Sequence, residues 1–182
     1  MKKLFAMSMA LVMSMAMFAG CGGGGGAGGA EEGLKGEVYD TGSMSALVPE
    51  GWLAIPVMDM WAEEADAKDP FQLQICKGAE SEWDILTCPY LQIIYYDAGT
   101  DMMKPTKDWY GDAADLEPIV IGETTWEGFT GTSMDKPLTV LFTGEAGGDQ
   151  YQVTMWTEGS EESISVEDAE VLAILESIKP SA

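Results

Sequence analysis

From residue 117 onward, apolar and polar side chains alternate with a period of two. Segments 118–121, 124–133, 137–143 and 150–157 carry the pattern, separated by Gly122-Glu123, Asp135-Lys136 and residues 144–149. Such alternation between turn-forming residues predicts antiparallel strands. In the last of them Tyr151, Val153 and Met155 share one face, and Gln152, Thr154 and Trp156 the other. Upstream, 37–40 and 44–48 also read as strands, the second alternating Met44, Ala46 and Val48 against Ser45 and Leu47 before Pro49-Glu50-Gly51-Trp52 breaks it. Segments 71–76 and 90–96 are a further pair, joined by residues 77–87, too long for a tight hairpin and so expected to be exposed.

Three stretches carry the helical period instead. Met58, Trp61, Ala62 and Ala65 fall at i, i+3, i+4 and i+7, which predicts a helix over 59–68 stopped by Pro70. Residues 102–115 are read as helical, with Pro105 near the start and Trp109-Tyr110 on the buried side. The last helix begins at Ser165, an N-cap with Asp168 three residues on. Its stripe is Val171, Leu172, Leu175 and Ile178, and Lys179-Pro180 ends it. Strands flanked by helices give an α+β fold: an antiparallel sheet with helices packed on it, in one globular domain over 34–182.

Residues 44–52, Met-Ser-Ala-Leu-Val-Pro-Glu-Gly-Trp, resemble the strand and P-x-G-W opening of PsbP-like domains. Trp126-Glu127-Gly128 is similar to their mid-sheet strand. Residues 150–155 with Ile174-Leu175-Glu176-Ser177-Ile178-Lys179 resemble their closing strand and helix. The resemblance implies an α/β/α sandwich and a binding or assembly module, several of which are lipoproteins. No ligand position of the metal sites described in that family can be matched here.

The first residues set where the protein works. Lys2 and Lys3 precede an uncharged run from Leu4 to Ala19, and Ala19-Gly20 leads into Cys21. A basic head, an apolar middle and small residues before the cut make a secretory signal peptide. With the cysteine following, residues 1–20 resemble a bacterial lipoprotein signal, implying a mature chain that begins at diacylglyceryl-modified Cys21. Phe18 departs from the usual Leu. Residues 21–33 are the lipidated cysteine and a glycine-rich tether, whose twelve residues after Cys21 reach about 20 Å as a coil. The expected location is the outer side of a cell membrane, held by lipid through Cys21.

Charge narrows the partners. Nine lysines and no arginine stand against thirty-one acids; Lys2 and Lys3 leave with the signal, so seven cations remain against thirty-one acids, a balance of −24. Such a surface repels nucleic acid, whose binding rests on cations that neutralise phosphate. It also disfavours broad contact with anionic headgroups, which leaves attachment to the acyl chains. Solubility outside the cell is the simplest account of the acids.

Candidate chemistry is sparse. There is no histidine, which removes Ser-His and Cys-His pairs and His-based zinc sites, and without arginine there is no bidentate anion clamp. No catalytic residue, metal site or cofactor is assigned. Asp97-x-Gly99-x-Asp101 offers two carboxylates and a carbonyl to Ca²⁺ but lacks the remaining ligands, so a plain acidic turn is the default. Trp61, Trp83, Trp109 and Trp156 could line a ligand groove, although tryptophans are mostly core; Trp83, between Glu82 and Asp84, is the candidate binding-surface residue. Cys76 and Cys88, the cysteines left once Cys21 is acylated, are expected to form a disulfide outside the cytoplasm. Two buried thiols are the alternative. The leading expectation is therefore a membrane-anchored binding or accessory lipoprotein without catalytic activity, its protein or small-ligand partner unnamed. A carboxylate-only hydrolase acting on extracellular glycan, and a small-molecule carrier, remain the alternatives.

Overall fold

The period-two text folds as it reads. A computed structural model describes residues 34–144 and 147–181. In order the chain forms β1 (Gly36–Asp40), β2 (Met44–Pro49), β3 (Trp52–Met58), β4 (Lys68–Lys77), a 3-10 helix (Glu82–Leu86), β5 (Tyr90–Tyr96) and a second 3-10 helix (Lys107–Trp109). It continues through β6 (Gly111–Asp115), β7 (Ile119–Ile121), β8 (Thr124–Ser133), β9 (Lys136–Thr143), β10 (Gln150–Trp156), α1 (Ala169–Ser177) and β11 (Lys179–Pro180). The expected signal peptide, lipidated Cys21 and tether lie outside the described residues.

All pairings are antiparallel. The larger sheet runs β3-β4-β5-β10-β9-β8-β6, and β7 shares the outer side of β8 with β6. β8 is long enough for both: its first residues pair with β7 and its last with β6. A smaller sheet, β1-β2-β11, lies against it. The β8–β9 hairpin closes on Met134 and Asp135, both left-handed (φ 52° and 61°), the two-residue turn that suits the strand twist. That turn sits one residue earlier than the expected Asp135-Lys136.

One face of the large sheet carries the main core. Leu73, Ile75, Leu91, Ile93, Val153, Met155 and Leu141 project from adjacent strands, and Met44, Ala46, Val171, Ile174 and Leu175 from β2 and α1 close over them. The facing of β10 is as its alternation predicts: Val153 and Met155 are buried in this core, and Trp156 packs in the cluster on the opposite face. Ser177 locks the covering layer, accepting a bond from the Leu47 N–H (2.7 Å) and donating one to the Ile174 carbonyl (2.7 Å). The opposite face has only a small cluster around Phe129, Leu138 and Val140, with Tyr110 and Ala113 from the segment before and within β6 packed on it.

This second face explains the main correction to the expected fold. The described residues hold eleven strands and one α-helix, so the molecule is sheet-rich, without the second helical layer of an α/β/α sandwich. Of residues 59–68, read as a helix, 59–67 form the turn between β3 and β4, closed by the Asp59 N–H on the Ala67 carbonyl (2.9 Å), and Lys68 begins β4. Pairing of the flanking strands overrides the helical period, and Trp61, expected inward, is 96% exposed. Residues 102–115 run through the second 3-10 helix into β6, which completes the edge of the sheet instead of covering it. α1 begins later than expected, with Asp168 as N-cap; the Ser165 N–H donates to the Asp168 carboxylate (2.8 Å), one half of the expected capping box, while the Ser165 hydroxyl accepts from the Glu167 N–H (3.3 Å) instead of closing the other half.

Candidate functional site

β4 ends and β5 begins on the same rim, and the twelve-residue link between them folds onto that rim. Ser81 starts the 3-10 helix, and the Asp84 carboxylate accepts the backbone N–H groups of Glu80 (3.0 Å) and Ser81 (2.8 Å). Those bonds hold the Asp84 carboxyl below the usual range, the Glu80 N–H contributing most. At the far end the Cys88 N–H reaches the Asp84 carbonyl (2.8 Å), and Lys136 Nζ, from the start of β9, donates to the Leu86 carbonyl (3.1 Å). A segment tied at both ends presents Trp83 and Leu86 to solvent, 74% and 70% exposed. The expected exposure of Trp83 is thus borne out. Neither Trp61 nor Trp156 joins it in a groove, and Trp109, on the second 3-10 helix, is 61% exposed. Trp61 is on the β3–β4 turn at the far end of the sheet, and Trp156 stacks on Tyr90 (6.0 Å between centroids).

Cys76 is buried at the end of β4 and Cys88 stands half-exposed beside it, both as free thiols. Burial, then the neighbouring Cys88 and Asp84, pushes the Cys76 thiol up to about 12. Cys76 is in register with Tyr90, so Cys88 meets it from two residues along the partner chain instead of directly across. Of the expected calcium ligands, Asp97 is spent on its own turn, accepting from the Gly99 N–H (3.1 Å) and the Thr100 hydroxyl (2.7 Å). No group of three or more His, Cys, Asp or Glu among the described residues is placed to hold a metal ion.

Two concave surfaces escaped the sequence reading. The larger is a groove of about 590 Å³ between β1 and β3, lined by Lys35, Val38, Tyr39, Val48, Trp52 and Ala54 among others. β1 and β3 are each the outermost strand of their sheet, so the groove runs between two unpaired edges. Its floor is built locally: Pro49-Glu50-Gly51 turns the chain from β2 into β3, with Gly51 left-handed (φ 84°), and drops Trp52 into the core. Lys77 Nζ sits 5.6 Å over the Trp52 ring and pairs with Glu170 of α1 at 2.9 Å. No periodicity signals a groove shared by two sheets.

The second, about 530 Å³, opens at the other end of the sheet beside Lys104, Glu127, Phe142, Asp149 and Tyr151. Lys104 lies 4.9 Å over the Phe142 ring. Tyr95 donates to Asp149 (2.7 Å) and stacks on Tyr151 at 5.2 Å between centroids. The bond to Asp149 pushes the Tyr95 hydroxyl up to about 12, and burial pushes Tyr151 up as well. The ladder comes from the pairing of β5 with β10, which sets Tyr95 opposite Tyr151, and no spacing within either strand signals it.

No protein-family model matches the chain, and no curated protein does. Among solved structures, it is similar to the solution structure of cyanobacterial PsbP (CyanoP) from Synechocystis sp. PCC 6803. The likeness has a TM-score of 0.41 at 13% identity and covers 86% of this chain and 98% of that one.

Proposed function

We propose that this chain is a membrane-anchored, extracytoplasmic binding domain of PsbP-like build, without catalytic activity. Signal residues 1–20 direct export, Cys21 carries the lipid, and residues 21–33 tether the folded part. The observation that carries the reading is the open, largely apolar groove between the free edges of β1 and β3. A strand edge offers unpaired N–H and C=O groups to an extended segment of a partner, and alternate side chains supply selectivity. Pro56, without an N–H, restricts that pairing on β3 to its first half. The PsbP-like build is supported by residues 44–52, which form a strand, a tight turn and a buried tryptophan in the order the resemblance implies.

A hydrolase built on carboxylates needs one held protonated by a raised pKa. Asp40 and Asp84 are shifted the other way, Asp40 chiefly by the Ser181 hydroxyl. The test is site-directed photo-cross-linking in the protein's own membranes. A photoreactive residue replacing Val38, exposed in the groove, should give one discrete adduct; the same residue replacing Val120, exposed outside the groove, should give none. Equal labelling from the two positions, or none from Val38, would overturn the groove as the binding site.

A further inference from the structure

We propose that the rim carrying Trp83, Leu86 and Met134 docks on the surface of the bilayer that holds the Cys21 lipid. The inference rests on the lipoprotein reading, and four observations support it.

The first is where the tether arrives. The Lys35 carbonyl accepts the Glu50 N–H (3.0 Å), the Gly51 carbonyl accepts the Gly78 N–H (2.9 Å), and the Lys77 N–H donates to the Pro89 carbonyl (3.0 Å). These bonds place the start of β1, the start of β3, the end of β4 and the entry to β5 at one end of the structure. Leu86 is fixed to that same end by Lys136, and Met134 is in the turn just before Lys136.

The second is length. Twelve tether residues reach about 20 Å, whereas a domain of this size has a radius of gyration of about 15 Å. The rim where the tether attaches therefore stays within reach of the bilayer, and the far end, with Trp61, faces away on average.

The third is chemistry. Trp83, Leu86 and Met134 are 74%, 70% and 82% exposed, large apolar groups on rigid supports. Tryptophan suits the boundary between headgroups and acyl chains, its ring apolar and its N–H still able to find a polar partner.

The fourth is what the rim lacks. Glu82, Asp84 and Asp135 flank the three apolar residues, so attraction to anionic lipid is not what drives contact. The docking is apolar and narrow, too weak to recruit the domain from solution. The tether makes the second contact intramolecular, at an effective concentration in the millimolar range. A protein partner would need no relation between this rim and the tether; a bilayer does.

The test uses the full-length protein, expressed and processed, in vesicles of phosphatidylethanolamine and phosphatidylglycerol with bromines on the acyl chains. Bromine quenches tryptophan emission only at contact. Trp83→Phe is expected to remove the greater part of the quenching, and Trp61→Phe to leave it intact. Quenching unchanged by Trp83→Phe, or a protein cross-linking at position 83 with no lipid quenching, would overturn the docking. Flotation of Cys21→Ser separates the two readings. If that variant still floats with Trp83 quenched, the rim holds the bilayer without the anchor, and the tether-assisted docking falls together with the lipoprotein reading. If the native protein floats only through Cys21 and Trp83 is never quenched, the anchor stands and the docking falls.

Discussion

Gly128 governs how closely β8 and β9 pair. A Cβ at this position would run into the Val140 carbonyl of β9 and lie 3.0 Å from Leu141 Cδ2, in the middle of the sheet where neither strand can yield. Overpacking of a dense core costs about 1–3 kcal/mol, so Gly128→Ala should lower the unfolding free energy by an amount in that range and shift the urea midpoint downward with it. An unchanged midpoint would mean that the two strands separate more easily than their packing implies. Cys76 makes a prediction of another kind. Its thiol ordinarily titrates at 9.0 and is pushed up to about 12 by burial, with Cys88 and Asp84 adding to it. The folded state therefore keeps a proton that the unfolded chain releases. The resulting stabilisation is complete below pH 9.0 and is lost as pH rises to about 12. In reducing buffer the melting temperature should fall across that window. Cys76→Ala should make the fall shallower, leaving the part that belongs to the raised tyrosines, Tyr95 and Tyr151 among them, and parallel curves would refute the assignment.

At the scale of elements, legibility followed how local the cause of each element was. β8, β9 and β10 could be read because alternating residues and turn chemistry lie within a few positions of one another. β3 could not: Pro49-Glu50-Gly51 looks like the end of a strand, Pro56 looks like an interruption, and only β4 alongside makes residues 52–58 extended. Residues 59–68 failed for the converse reason, since a genuine helical spacing lost to the closure of a hairpin. Trp83 was legible as an exposed residue because its neighbours in sequence are charged. The groove was not, because its two walls come from different sheets and meet only through the fold. The link between β4 and β5 also bears on the cysteine pair. We expect Cys76 and Cys88 to join when the protein is exported, closing a loop of roughly 13 residues and adding about 3 kcal/mol if unstrained. Non-reducing peptide mapping after rapid alkylation should recover the two peptides linked. Recovery of both as alkylated thiols would show that the hydrogen bonds of Asp84 and Lys136 hold the segment without a bond between the sulfurs.

For the whole molecule, sidedness is the theme. One sheet face is packed under β2 and α1, the groove lies between the edges of β1 and β3, and the start of β1 lies at the rim that presents Trp83 and Leu86. On the binding function proposed above, the large excess of acid would favour solubility and leave recognition to these few apolar surfaces. The account stands on attachment at Cys21, and mass spectrometry of the protein purified from membranes measures that directly. The predicted result is a mature chain whose first residue is Cys21, with a mass increment of diacylglyceryl on its thiol. A chain starting elsewhere, or an unmodified Cys21, would contradict it.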